Sequence, residues 1–259
     1  MADVARHAAR LPGRIVVGRP LGGTTLKTEL VEPGREEPPI ELGPTDDPPD
    51  HPIAGIWLYE SDVSLLAYLL QDLRAAVRLA SRGDLTFEPY RSMMWRVHGL
   101  QRRTVICRPE PLFLFGDAQF VGFFGDRRAD SADSGIDDIE LDVVGQFVNY
   151  PGILAYSSIE LVDDQWANLV IHESPDDREQ WRTCPVHKTA VEMVSPKAYT
   201  GVRIHNGHIP GGVIGTAAAV LECTKYWDFE VTPVWRARRN LPGGATGTVR
   251  RPAAGPGGG

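Results

Sequence analysis

The chain has few cysteines, no long apolar run and no excess of basic charge, and each shortage excludes a class of protein. Its three cysteines, Cys107, Cys184 and Cys223, are odd in number and far apart in 259 residues. They make neither a disulfide framework nor a paired-cysteine metal clip, and they read as reduced thiols of a cytoplasmic protein. No stretch approaches the roughly 20 apolar residues of a membrane-spanning helix. Met1–Val17 lacks the uninterrupted apolar core of a secretory signal. A formal charge of −7 argues against a body that binds nucleic acid by neutralising phosphates. Motifs are missing too. There is no GxxxxGK[ST] phosphate loop, no GxSxG elbow and no HExxH pair. The glycines of FLFGDAQFVGFFGD do not form GxGxxG between a strand and a helix, so dinucleotide binding is unsupported. Three convergent metal ligands are not evident, and no metal site is assigned.

Gly and Pro are abundant but unevenly placed. More than half of the 27 Gly and 21 Pro lie in residues 1–52 and 240–259. This predicts a Pro-rich, largely extended arm over 1–52 and a disordered basic Gly/Pro-rich tail over 236–259. Ile15–Val17 is a candidate short strand, able to lay the arm across the body. The tail carries five Arg and no acid, so the rest of the chain is more acidic than the total implies. Between the ends, 129–142 (ADSADSGIDDIELD) has six acids and no base and reads as an acidic linker. It separates a first α+β half, 53–128, from a second, 143–235.

In the first half, IAGIWLYE (53–60) reads as a strand, followed by a helix capped at Ser61 or Asp62. Val63, Leu66, Leu70, Leu73, Val77 and Ala80 form its apolar stripe, and Gly83 ends it. In the second half, 139–149 reads as a helix with Leu141, Val144 and Phe147 or Val148 inward. Two strand-like runs follow, ILAYSSIEL and QWANLVIHE, joined by a turn at Val162–Asp164. Ser174-Pro175-Asp176-Asp177 is a helix start: an N-cap serine, a proline at the first helical position and acids in the first turn. That helix is expected to reach Val194, kinked at Pro185. AYTGVRIHN then alternates as a strand. With FVGFFG as a preceding strand, the order becomes β-α-β-β-α-β, a ferredoxin-like unit with an antiparallel sheet and both helices on one face.

Two segments gather candidate chemistry. On the wheel of 177–194, Trp181, Cys184, His187, Val191 and Val194 share a face, which makes His187 either a base, a haem ligand or a core histidine. On the strand from 199, Tyr199, Gly201, Arg203 and His205 point one way and Thr200, Val202 and Ile204 the other. Arg203 is suited to a carboxylate, and Tyr199 or His205 to a proton; Asn206 follows at the turn. On the hairpin, Trp166, Asn168, Val170 and His172 share a face.

The turn Tyr150-Pro151-Gly152, the hairpin ending NLVIH, the helix with Trp181 and His187 five residues between, and the strand rich in Tyr, Arg and His resemble the antibiotic-biosynthesis-monooxygenase-like group of dimeric α+β barrels. The resemblance covers about 143–232. It implies two ferredoxin-like sheets enclosing a ligand cavity, either as a homodimer or as a tandem repeat in one chain. It also implies an oxygenase-like enzyme of secondary metabolism acting on an aromatic or polyketide-like substrate. In that picture His187, His205, Arg203 and Tyr199 are catalytic, and Trp181, Trp166, Asn168 and Asn206 bind substrate. No cofactor is required; haem on His187 is one alternative, and a non-catalytic ligand-binding or scaffold protein using its Pro-rich arm is another.

Overall fold

The computed structural model describes residues 38–97, 100–161 and 165–246. The Ile15–Val17 strand, the arm before Pro38, the Val162–Asp164 turn and the tail beyond Thr246 lie outside them. In chain order the elements are β1 (Ile40–Leu42), α1 (Ile56–Ser81), β2 (Ser92–Val97), β3 (Leu100–Ile106), α2 (Pro109–Leu112), β4 (Ala118–Arg127), α3 (Ile136–Gly145), β5 (Ile153–Glu160), β6 (Trp166–His172), α4 (Pro175–Arg182), α5 (Pro185–Thr189), α6 (Ser195–Ala198), β7 (Tyr199–Ile209), β8 (Val220–Asp228) and β9 (Trp235–Thr246).

Among the described residues, nine strands join one sheet in the order β1-β9-β8-β7-β4-β6-β5-β3-β2. Every pairing is antiparallel except the parallel β1–β9 edge. Within it, β4-α3-β5-β6-α4-β7 is a β-α-β-β-α-β unit whose strands lie in the spatial order fourth, first, third, second. FVGFFG is indeed its first strand. The unit therefore begins inside the expected first half, and the two halves are not two copies. Residues 53–128 contribute one long helix and three strands of the shared sheet.

The helices do not all lie on one face. Leu66, Leu69, Leu70, Leu73 and Val77 of α1 are buried with Phe120, Phe124, Leu169 and Ile171 in one apolar cluster. Gly122 permits the approach, since a Cβ there would lie 2.6 Å from Leu66 Cδ2. On the other face, Phe147 and Trp181 pack with Val105, Ile153 and Tyr156 beneath α3 and α4. α1 thus covers the sheet face opposite α3 and α4.

Four local expectations are corrected. Residues 53–60 are not a strand: Pro52–Ala54 form a 3₁₀ turn and α1 starts at Ile56, whose N–H donates to Asp47 Oδ1 at 3.1 Å. The cap comes from nine residues upstream, and Asp62 lies inside the helix, buried. The helix expected from 139 begins earlier, at Ile136 inside the acidic linker, after Gly135, whose φ of 75° makes the turn. Its inward side carries Ile136, Ile139, Val143 and Val144, while Leu141 and Val148 are exposed. The helix from Ser174 is broken rather than kinked. Its start is as expected, with Asp177 N–H on Ser174 Oγ at 3.2 Å. However, Cys184 is extended before Pro185, as a residue preceding proline prefers. A new short helix starts at Pro185, and Ala190–Val194 is a π turn. Finally, 236–246 is not tail but the body of β9, because Ala237, Arg239 and Leu241 alternate into the α1 side.

Candidate active site

Between the sheet and α3, α4, α5 and the π turn lies a cavity of about 540 Å³, within the range of small-molecule sites. Period-two alternation builds its floor. β6 contributes Trp166, Asn168, Val170 and His172; β4 contributes Val121 and Phe123; β7 contributes Val202, Ile204 and Asn206. The register sets these in rungs. Asn168, Phe123 and Ile204 lie side by side, as do Val170, Val121 and Asn206. Tyr199 is brought to the same face by a bulge between Asp126 and Arg127. Its ring lies over Gly125, where a Cβ would be 2.5 Å from Tyr199 Cε1.

The roof is aromatic. Trp181 meets Phe147 at 5.4 Å and Tyr150 at 5.0 Å between ring centroids, both edge-on. His187 packs against Trp181 with ring centroids 4.9 Å apart. No side chain among the described residues hydrogen-bonds His187. Burial and then the Arg182 charge lower its pKa to about 4, so the ring is neutral at pH 7.

Polar atoms face the cavity without partners. His172 is fully buried, and neither of its ring nitrogens has a hydrogen-bond partner. Its pKa is also about 4, lowered by burial first and then by Arg178. Asn206 Nδ2 is buried and unpaired as well. Buried polar atoms normally find partners, so such a group beside a cavity points to a ligand. Asn168 differs. Tyr156 Oη sits 3.0 Å from its Oδ1, which fixes the amide and turns its NH₂ away from the tyrosine. Tyr156 is held in turn by Arg103 at 3.2 Å and lies 3.2 Å from Glu140 Oε1, and burial pushes its pKa up to about 12.

Six of the eight site residues expected from sequence line this cavity: His187, Tyr199, Trp181, Trp166, Asn168 and Asn206. Arg203 and His205 do not. They point from the other face of β7 into the interface with α1, where Arg203 binds Asp62 and Asp126, and His205 bridges Asp62 and Thr224. Alternation separated the two faces of this strand correctly from Gly201 onward, but it carries no sign of which face meets the cavity. The sequence reading also passed over His172 as a site residue and Tyr156 altogether. The parity shared with Asn168 was the available signal for the first. Among the described residues, no group of three or more His, Cys, Asp or Glu could hold a metal ion. The cysteines are all buried, and burial pushes the Cys107 thiol up to about 12.

No family model matches the chain, and no curated protein matches it. Among solved structures, the chain is similar to an asparagine-to-alanine mutant of SnoaB, a cofactor-independent oxygenase from Streptomyces nogalater. The match has 14% identity and a TM-score of 0.27, and covers 36% of this chain and 90% of that one.

Proposed function

We propose that the cavity is the active site of a small-molecule enzyme, oxygenase-like in its chemistry, acting on an aromatic or polyketide-like substrate. The observation that carries this reading is the set of unpartnered buried polar atoms, His172 Nδ1 and Nε2 and Asn206 Nδ2, on the wall of a cavity that also presents several aromatic rings. The aromatic walls suit a flat ring system and exclude water. A neutral His187 accepts a proton from an acidic CH₂ beside a substrate carbonyl. Asn206, whose Nδ2 is buried and unpaired, then donates to the developing oxyanion. The carbanion bonds to one atom of dioxygen, the peroxide takes the proton back from the imidazolium, and loss of water leaves a new carbonyl. Dioxygen is the only oxidant, and the product pair is ketone and water.

Oxygen consumption with a hydroxyanthrone as substrate tests the reading. His187→Ala is expected to reduce turnover at least tenfold with the fold intact, and unchanged turnover overturns the assignment. One neutral, unpartnered imidazole also fits the single axial position of haem, which would supply oxygen activation there. A Soret band in the purified protein reassigns His187 to that role. A ligand that binds and is returned unchanged in air makes this a binding protein.

A further inference from the structure

The cavity floor continues beyond β7 in a direction the candidate chemistry does not use. One rung runs from Asn168 through Phe123 and Ile204 to Lys225 on β8 and Arg238 on β9. Lys225 and Arg238 are directly opposite one another, and both line the cavity. Like charges in that position repel and destabilise a sheet unless something negative lies between them. Among the described residues, the nearest negative groups are Glu41, opposite Arg238 on β1 but accepting from Asn240 Nδ2 at 2.5 Å, and Glu179, whose charge acts on Lys225. The cavity has three carboxylates, each engaged elsewhere. Glu140 is paired with Arg103, Glu179 with Arg182 at 3.0 Å, and Glu222 with His208 at 2.9 Å. Neither Lys225 nor Arg238 has an ion-pair partner among the described residues. Arg182, at the end of α4, adds a third cation to the same wall. Burial, followed by the Arg182 charge, lowers the Lys225 pKa, as expected of an ammonium facing cations.

We propose that Lys225 and Arg238 form the subsite for an oxyanionic group, carboxylate or phosphate, carried at one end of the aromatic ligand. The proposal rests on the cavity being the ligand site, and it names the ligand class: a flat, amphipathic anion. The span supports a size as well. Asn168 and Lys225 are three interstrand spacings apart, roughly 14 Å, which suits about three fused rings plus a charged substituent. The aromatic end then lies by Trp166 and Asn168, and the anion lies by Arg238, which is exposed. An arginine fork and a lysine point charge together suit an oxyanion better than either does alone.

The test is calorimetric titration of the full chain with anthracene-2-carboxylate, 2-anthryl phosphate and neutral anthracene-2-carboxamide. The two anions are expected to bind at least tenfold more tightly than the amide, with the tighter one identifying the group. The double variant Lys225→Gln/Arg238→Gln is expected to erase that preference and leave amide affinity unchanged, which also shows that the variant is folded. Equal affinity for acid, phosphate and amide in the wild type overturns the anion subsite and leaves the cavity reading standing. So does a preference that survives the double substitution. Failure of all three probes to bind overturns the cavity reading, and the subsite with it.

Discussion

Arg203 on β7 and Asp62 on α1 form a two-point ion pair, Nε to Oδ2 at 2.6 Å and Nη2 to Oδ1 at 3.3 Å, with both side chains under 5% exposed. The same guanidinium reaches both carboxylate oxygens of Asp126 through Nη1, at 2.9 and 2.8 Å. His205 completes the cluster, Nε2 to Asp62 Oδ2 at 3.0 Å. This cluster fixes α1 to the face opposite the cavity. Removing one partner of a buried pair leaves an uncompensated charge, so Asp62→Ala should destabilise the fold by about 3–5 kcal/mol in urea unfolding. Cavity affinity for an aromatic amide should stay within about twofold, because no atom of the cluster lines the cavity. A large affinity loss with little loss of stability would return Arg203 and His205 to the site.

His172 makes stability depend on pH in a defined direction. Its ring is fully buried, and its pKa falls from the ordinary 6.5 to about 4 in the folded chain. Above pH 6.5 both folded and unfolded states carry it neutral, and stability is complete. As pH falls from 6.5 toward 4, the unfolded state takes up a proton that the folded state refuses. That difference costs about 2 kcal/mol by pH 5 and about 3 kcal/mol below pH 4. His187 acts in the same sense. Urea titrations between pH 7 and 4.5 should therefore show falling stability, with a shallower slope in His172→Phe. An unchanged slope in that variant would mean that the ring is not held neutral.

What was legible in the sequence was local. Ser174-Pro175 and Gly83 marked helix ends because cap and turn chemistry lie within four residues. The strands of the β-α-β-β-α-β unit showed as short β-type runs, with alternation in the one from Tyr199, and the shared face of Trp166, Asn168 and His172 followed from period two. What failed was long-range. The α1 cap is Asp47, nine residues upstream, and so 53–60 was misread as a strand. Arg236, Arg238 and Arg239 looked like a solvated tail although β9 closes a hairpin with β8 just before it; only its other partner, β1, is remote in sequence. The site divided along the same line. Alternation grouped Arg203 with His205 correctly, but only the packing of α1 decides that their face is not the cavity.

Arg239 gives that misread segment its own test. Fully buried, it donates to the carbonyls of Gly43 and Pro44 through Nη1, at 2.9 and 3.1 Å, and to those of Asp46 and Ala54 through Nη2, at 2.9 and 2.8 Å. Its Nε donates to Tyr226 Oη at 3.0 Å. One side chain thus satisfies four carbonyls of the segment leading into α1. Arg239→Met removes a donor from all four, leaving Gly43 O with the 3.3 Å bond from Asp46 N–H, and should cost at least about 2 kcal/mol. The loss should be local, with hydrogen exchange rising first across 39–55 and little across β5 and β6. Uniform protection loss across the sheet would instead make Arg239 a general core residue.

Gly125 and Tyr199 test the shape of the cavity floor without touching its polar groups. A Cβ on Gly125 would lie 2.5 Å from Tyr199 Cε1 and 2.6 Å from Cδ1, too close for either atom to stay in place. Strand backbone does not move easily between two paired neighbours, and β4 is paired with both β6 and β7 along its length. The ring must therefore lift into the cavity. Gly125→Ala should destabilise the protein by about 1–3 kcal/mol, the usual cost of overpacking, and weaken aromatic ligands by shrinking their space. Tyr199→Ala removes the obstacle, so the two substitutions should be strongly non-additive. In the Tyr199→Ala background, Gly125→Ala should cost almost nothing, giving a coupling energy of at least about 1 kcal/mol in a double-mutant cycle. Additive losses would mean that the ring does not rest on Gly125, and Tyr199 would then lose its place on the floor.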